Sequence, residues 1–355
     1  MDDGTTIADQ GYPLVFRTEP WAGECDVALR TLVRHQKEAL VVDGAAAWRL
    51  ASDEGAALGG DDLAPFPIGF YVAGALSDIR RRLHAAALVA DVDLGDVRIG
   101  LEHVFTASGS FADGSATAGT RRVSIRIDTR PVDSVAAIGV VTAAFAASPV
   151  IAFLRTPLSG ATTTMTDPAA PDPFAGHGPM PIDPDGPADL IVRTDAVEPE
   201  NGAAPPPIVG QRFFSVRGDG SGPPDRFVTE TWIARPGMRR FRITTDETGD
   251  SAPSGLASVR AGVALCFMTQ LMRAVHAGRL PVERARLTQS GPFELDGRLG
   301  PIDTRAALIG GDGDSSDLLR IARSGCFLHT AAAASILPEV VLAPEGGEEI
   351  RVHLP

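Results

Sequence analysis

The stretch Phe241-Arg242-Ile243-Thr244-Thr245-Asp246-Glu247 decides how this chain is read, because it is a second occurrence of Trp48-Arg49-Leu50-Ala51-Ser52-Asp53-Glu54, offset by 193 residues (48 to 241). Working outward, Ala64-Pro65 and Ala73-Gly74 return as Ala252-Pro253 and Ala261-Gly262, offset by 188 (64 to 252). Ser108-Gly109-Ser110-Phe111 returns as Ser290-Gly291-Pro292-Phe293, offset by 182 (108 to 290), and Thr120-Arg121 as Thr304-Arg305, offset by 184 (120 to 304). Four short matches in one order, with offsets drifting by a few residues, predict an old tandem duplication with small loop insertions. The period is too long for a solenoid, so each copy is expected to be a whole domain, over residues 8–165 and 189–355, in a chain of 355 residues. Between them, residues 166–188 repeat Asp-Pro, Gly-Pro and Pro-x-Pro steps without an apolar period and read as an extended linker.

Each copy runs in the same order. Residues Tyr12 to Arg17 and Asp26 to Val42, like Ile208 to Val216 and Phe227 to Thr244, alternate or are rich in β-branched residues and read as strands. An apolar helix follows, Ile68 to Ala87 or Leu256 to Ala277. A hairpin is expected from Val97 to Phe105 with Arg122 to Asp128, matched by Val282 to Thr288 with Ile302 to Ile309, and a second apolar helix closes the unit. Strands, helix, hairpin and helix make an α+β class rather than an alternating βαβ one. The two first helices are apolar all round, so they are expected to pack centrally against the β-sheets, with the copies forming an intrachain pseudo-dimer.

Composition narrows the function. The net charge is −13 and arginine is scattered, so no basic face is available for phosphates and nucleic acid is not an expected partner. Val135 to Leu154 is uncharged and long enough to cross a bilayer, but its counterpart near Asp317 to Leu337 carries Arg320, Arg323 and His329. A buried helix is therefore expected, with no membrane partner. The start, Met1-Asp2-Asp3-Gly4, precedes no apolar signal core, which makes a cytoplasmic, reducing location the expectation. There the three cysteines, Cys25, Cys266 and Cys326, are expected to be free or redox-active rather than a structural framework.

The repeat register gives the cysteines their meaning. An offset of 188 sets Cys266 opposite Asp78, and one of 178 sets Cys326 opposite Ser148 (148 to 326). One copy thus has a thiol on each of its two helices and the other has neither. Such a pair suits a cycle in which one thiolate attacks an oxidant, becomes a sulfenic acid and is resolved by the second thiol as a disulfide. Either cysteine alone reads more simply as a small buried hydrophobe. A thiol buried in an apolar helix also has its pKa raised, so a nearby cation is expected to be needed for reactivity. Cys25 has no partner in the repeat and reads as a bystander; His329, one turn after Cys326, could serve as acid or base, though a polar helix end is the simpler reading. Asp312, Asp314 and Asp317 lack the spacing of a calcium loop and read as a solvated turn. Asp78, ahead of Arg80-Arg81-Arg82, reads as part of a vestigial site in which the Asp pairs with a neighbouring Arg.

The segment Val259-Arg260-Ala261-Gly262-Val263-Ala264-Leu265-Cys266-Phe267, the sixty-residue step to Cys326 (266 to 326) and the thiol-free Ser148-Pro149-Val150 together resemble the OsmC and organic hydroperoxide resistance superfamily. The resemblance covers most of both copies and implies a tandem duplicated member with a degenerate first copy. It implies a cysteine peroxidase acting on an organic hydroperoxide, with Cys266 as nucleophile, Cys326 as resolving thiol, a dithiol reductant as partner and no cofactor. It also implies an activating arginine from an early strand turn, for which Arg217 is the nearest candidate and Arg226 the next. The departures are equally specific: the family's Glu ten residues before the first Cys is Leu256 here, and Cys326 precedes Phe327 rather than Pro. Two other functions stay open on the residues: a non-catalytic protein that binds a small apolar molecule or acts as a scaffold, and a fold turned to a different reaction in a specialised pathway.

Overall fold

The two longest apolar runs form the centre of the molecule. In the computed structural model, which describes residues 14–21, 25–55, 58–165, 174, 189–198, 211–278, 280–294, 296–310 and 315–354, the first half contains β1 (Val15–Thr18), β2 (Val27–Thr31), β3 (Lys37–Asp43), β4 (Ala46–Ser52), α1 (Pro67–Ala90), β5 (Arg98–Ser108), β6 (Thr117–Thr129), α2 (Ser134–Ala146), α3 (Pro149–Arg155) and β7 (Thr162–Thr164). The second half contains β8 (Ile191–Ala196), β9 (Gln211–Ser221), β10 (Phe227–Ile233), β11 (Arg239–Thr245), α4 (Gly255–Ala277), β12 (Arg284–Ser290), β13 (Asp303–Ile309), α5 (Ser316–Gly325), α6 (Phe327–Ala333), β14 (Glu339–Pro344) and β15 (Ile350–Val352). The class is α+β. The expected linker over 166–188 lies outside the described residues apart from Phe174, as do Asp312 and Asp314.

Helix α1 starts with Pro67, whose missing amide costs nothing in a first turn, and α4 starts at Ser254, whose Oγ accepts the Ala257 amide. Both bury nearly their whole circumference over their first four turns, so each needs protein on every side. They pack against each other where their backbones nearly touch. A Cβ on Gly74 would stand 2.2 Å from the Gly255 carbonyl oxygen, and one on Gly262 would stand 2.8 Å from the Tyr71 nitrogen. Any larger residue at either crossing point would force the helices apart.

Neither half keeps a sheet to itself. One sheet has the order β1-β4-β3-β2-β12-β13-β7 and the other β15-β14-β6-β5-β9-β10-β11-β8. The halves are joined by two antiparallel pairings, β2 with β12 (Leu29↔Leu287) and β5 with β9 along its full length (Arg98↔Ser221 to Ser108↔Gln211), and by two parallel ones, β7 with β13 (Thr162↔Thr304) and β6 with β14 (Ser124↔Glu339). Helix α4 packs on β2, β3 and β12 while α1 packs on β5, β9, β10 and β11, so the crossed helices fill the space between the sheets. One contiguous apolar core runs from Val15 to Val352 through both halves.

The closing helices differ from their expected form. Val135 to Leu154 is two helices, α2 and α3, bent by 74°, rather than one. Ser148 takes an extended backbone, its Oγ accepts the Ile151 amide, and Pro149 has no amide to carry α2 onward. Cys326 turns the same corner between α5 and α6 with φ −84° and ψ 115°. Among the described residues, α4 is the one helix long and apolar enough by itself to cross a membrane, and it is almost wholly enclosed by the protein.

Candidate functional site

The corner between α5 and α6 brings the expected cysteines together. Cys266 sits midway along α4 and is 2 % exposed; Cys326 is wholly buried at the start of α6. The Cys326 thiol donates to the Cys266 sulfur at 3.5 Å. Because α6 begins there, the amides of Leu328 and Phe327 also donate to the Cys266 sulfur. Burial pushes the Cys266 thiol pKa up, but these three donors more than offset it, and the net direction is below that of an ordinary thiol. Cys326 moves the other way: burial raises its pKa, and so do its hydrogen bond to Cys266 and the charge there. Cys266 is thus the first of the pair to ionise, with Cys326 keeping its proton and donating a hydrogen bond to it.

Cys266 opens onto a cavity of about 310 Å³. Four polar or reactive side chains of α4 face it at helical spacing, Cys266, Thr269, Gln270 and Arg273. Phe66, Ile68, Phe111, Phe214, Met238 and Phe327 make most of its wall apolar. At the rim, Arg212 is exposed and Arg235 and Arg273 are half-buried, and the Arg212 and Arg273 guanidinium groups lie 5.8 and 4.9 Å from the centre of the Phe111 ring. Gln270 is buried, and its Oε1 has no hydrogen-bond partner among the described residues.

The first half contributes an ionic pair to the same cavity. The Glu54 carboxylate accepts from Lys37 Nζ at 3.3 Å and from Thr269 Oγ1 at 2.6 Å, and Lys37 Nζ also donates to the His35 carbonyl oxygen at 3.0 Å. Burial pushes the Glu54 pKa up, but the charges of Lys37 and Arg273 and the Thr269 hydroxyl hold it net below the ordinary carboxylate range. Burial pushes that of Lys37 down. The retained charge of Glu54 is one of the influences that raise Cys266.

The register counterparts repeat the geometry without sulfur. Ser148 Oγ makes a short hydrogen bond to Asp78 Oδ2, the Val150 amide also donates to Asp78, and Arg82 Nε reaches Asp78 Oδ1 at 3.2 Å. The expected pairing of this Asp with a neighbouring arginine is what the structure has. Glu247, the counterpart of Glu54, accepts from Ser77 Oγ at 2.6 Å and from Arg81 at 3.3 Å.

The other candidates lie elsewhere. Arg217 is not brought to the cysteines: Gly218 faces Val72 and Leu76 of α1, so the period-two alternation of β9 turns Arg217 to the outer face, where its Nε meets Glu102 Oε1 at 3.0 Å. The donors at Cys266 are instead a thiol and two backbone amides. Arg226 pairs with Asp189. Cys25 is half-buried outside the cavity, and burial raises its pKa to about 11. Asp317 is exposed and solvated beside Arg320, but it stands in the first turn of α5 rather than in the expected turn. His329 lies behind Cys326, its Nδ1 3.2 Å from the sulfur. Among the described residues, no group of three or more His, Cys, Asp or Glu side chains could hold a metal ion.

Sequence reasoning missed Lys37, Glu54, Thr269, Gln270 and Arg273. The polar stripe on α4 had a legible signal, four residues at i, i+3, i+4 and i+7 on an otherwise apolar helix. Glu54 closes the first occurrence of the repeated stretch, but nothing local shows that it reaches the other half's helix. Compared with known protein families, with curated proteins and with solved structures, the chain matches none.

Proposed function

We propose that the chain is a thiol peroxidase of the OsmC and organic hydroperoxide resistance type, built as a tandem duplication that keeps one of its two sites. The observation that carries this reading is the Cys266–Cys326 contact of 3.5 Å at the floor of an apolar cavity, with the donors arranged so that Cys266 ionises first. A disulfide is about 2.05 Å long, so a closure of roughly 1.5 Å joins the two sulfurs. The matching corners at Ser148 and Cys326, and the strand exchange between halves, support the duplication; the Ser148–Asp78 contact is the site that lost its thiols.

In this reading the Cys266 thiolate attacks the outer oxygen of an organic hydroperoxide. The O–O bond breaks, the alkoxide leaves as an alcohol after taking a proton, and Cys266 becomes a sulfenic acid. Cys326 then displaces hydroxide from that sulfur, forming the disulfide and water, and an external dithiol restores both thiols. The cavity walls suit an apolar body, and the rim arginines favour an anionic end on it. The cytoplasm, where such a reductant is available, is the compartment this chemistry needs.

The test is direct. The reduced protein, treated with cumene hydroperoxide, is expected to lose two thiols and gain one intramolecular disulfide. Cys266→Ser should abolish peroxide consumption, Cys326→Ser should stop at sulfenic acid or its over-oxidised products, and Cys25→Ser should change nothing. Thiols that survive excess hydroperoxide at the rate of free cysteine would exclude the peroxidase and favour a binding protein.

A further inference from the structure

His329 carries a stability cost that the peroxidase reading does not yet use. Its ring is buried against Phe267, with centroids 5.0 Å apart, and its Nε2 has no hydrogen-bond partner among the described residues. A buried polar group left unpaired is destabilising, because it gives up its hydrogen bonds to water without replacement. The offset of 178 that matches Cys326 to Ser148 matches His329 to Ile151 (151 to 329), so the half without thiols fills this place with a hydrocarbon. The imidazole stands only behind the thiol, and its Nδ1 is 3.2 Å from Cys326 Sγ, on the same sulfur that touches Cys266.

We infer that His329 is the general base of the resolving step, taking the Cys326 proton as that sulfur attacks the oxidised Cys266. The inference rests on the peroxidase reading. In the reduced protein the Cys326 S–H bond points to the Cys266 thiolate. Oxidation by the hydroperoxide neutralises that sulfur, and the S–H turns to the remaining acceptor, Nδ1. The S–H bond then breaks toward Nδ1 while Cys326 Sγ bonds to Cys266 Sγ, and the S–O bond of the sulfenic acid breaks. The proton that His329 accepted passes on to the departing hydroxide, so that water leaves, the imidazole is neutral again, and thiol plus sulfenic acid balance disulfide plus water. Cys326 needs such help because burial keeps its thiol protonated, and solvent bases do not reach a wholly buried sulfur. Burial lowers the pKa of the imidazole itself to about 3, so it holds the proton only while the sulfur attacks and the hydroxide leaves. The tautomer required places the hydrogen on Nε2, the unpartnered atom.

The two steps separate in a rapid-mixing experiment with cumene hydroperoxide on the full chain. Sulfenic acid is followed by trapping with a carbon nucleophile, and disulfide by loss of the second thiol. His329→Asn keeps an acceptor near the Nδ1 position but cannot take a proton. The first phase is expected at the wild-type rate, and the second about a hundredfold slower, at the low end of what general-base catalysis contributes. Sulfenic acid should accumulate and over-oxidise. A second phase at the wild-type rate in this variant overturns the inference. Loss of the first phase as well would mark a misfolded variant, and the wild-type protein then decides: its second phase should slow in deuterium oxide, because the S–H bond breaks in that step, and the absence of slowing overturns the inference. A wild-type protein with no first phase would instead remove the peroxidase reading itself.

Discussion

The Lys37–Glu54 pair offers the sharpest energetic test, because both partners are almost wholly buried, at 2 % and 5 % exposure, and they belong to a network that reaches Cys266. At 3.3 Å, two unit charges attract by about 5 kcal/mol with an effective dielectric constant of about 20. Desolvation of the two ions offsets much of this, so the pair adds little net stability, but removing one partner leaves a buried charge uncompensated. Glu54→Gln and Lys37→Met are each expected to cost about 3–5 kcal/mol. The double variant restores neutrality: the side-chain amide introduced in place of Glu54 can still accept from Thr269, which also donates to the Leu265 carbonyl oxygen at 3.2 Å. Its cost should stay within about 1–2 kcal/mol, giving a coupling of about 4 kcal/mol or more. Denaturant unfolding of the four proteins reads this directly. The same Glu54→Gln change removes a charge that raises Cys266, so its iodoacetamide alkylation at pH 7 should quicken. Additive costs in the cycle would show that the two side chains are not coupled through a buried ion pair.

Acid sensitivity and the surface arginine give two further outcomes. Burial lowers the pKa of both His103 and His329 to about 3, from 6.5 in the unfolded chain. His103 is held neutral between the Tyr71 hydroxyl and the Thr120 hydroxyl. Their contribution is complete above pH 6.5 and is lost as the pH falls toward 3, because only the unfolded chain takes up the protons; by pH 5 the loss amounts to about 2 kcal/mol for each histidine. Melting temperatures measured from pH 7.5 to 4.5 should fall accordingly, and His103→Gln, if folded, should flatten the profile; a level wild-type profile would contradict the burial of both rings. Arg217→Ala should leave the rate of Cys266 oxidation unchanged and cost less than about 1 kcal/mol, since it breaks a half-exposed ion pair with Glu102. A large loss of oxidation rate would return Arg217 to the thiol chemistry.

Periodicity and composition made some of this legible, because they are local. The apolar runs around Ile68 to Ala87 and Leu256 to Ala277 could only be enclosed helices, and they are α1 and α4. The repeat register matched Cys266 with Asp78 and Cys326 with Ser148, and Cys266 touches Cys326 as Asp78 touches Ser148. Tertiary structure decided what depends on distant segments. The break at Ser148 looks continuous in hydropathy, and the one at Cys326, which aims the amides of α6 at Cys266, has no local signal either. Strand exchange between the halves follows from pairing between distant segments, which no local pattern encodes. That exchange is why Glu54, 212 residues before Cys266 (54 to 266), lines its cavity. Arg217 had the right charge and place in the chain, but strand alternation is a parity, and where a strand begins to pair decides which parity faces the core.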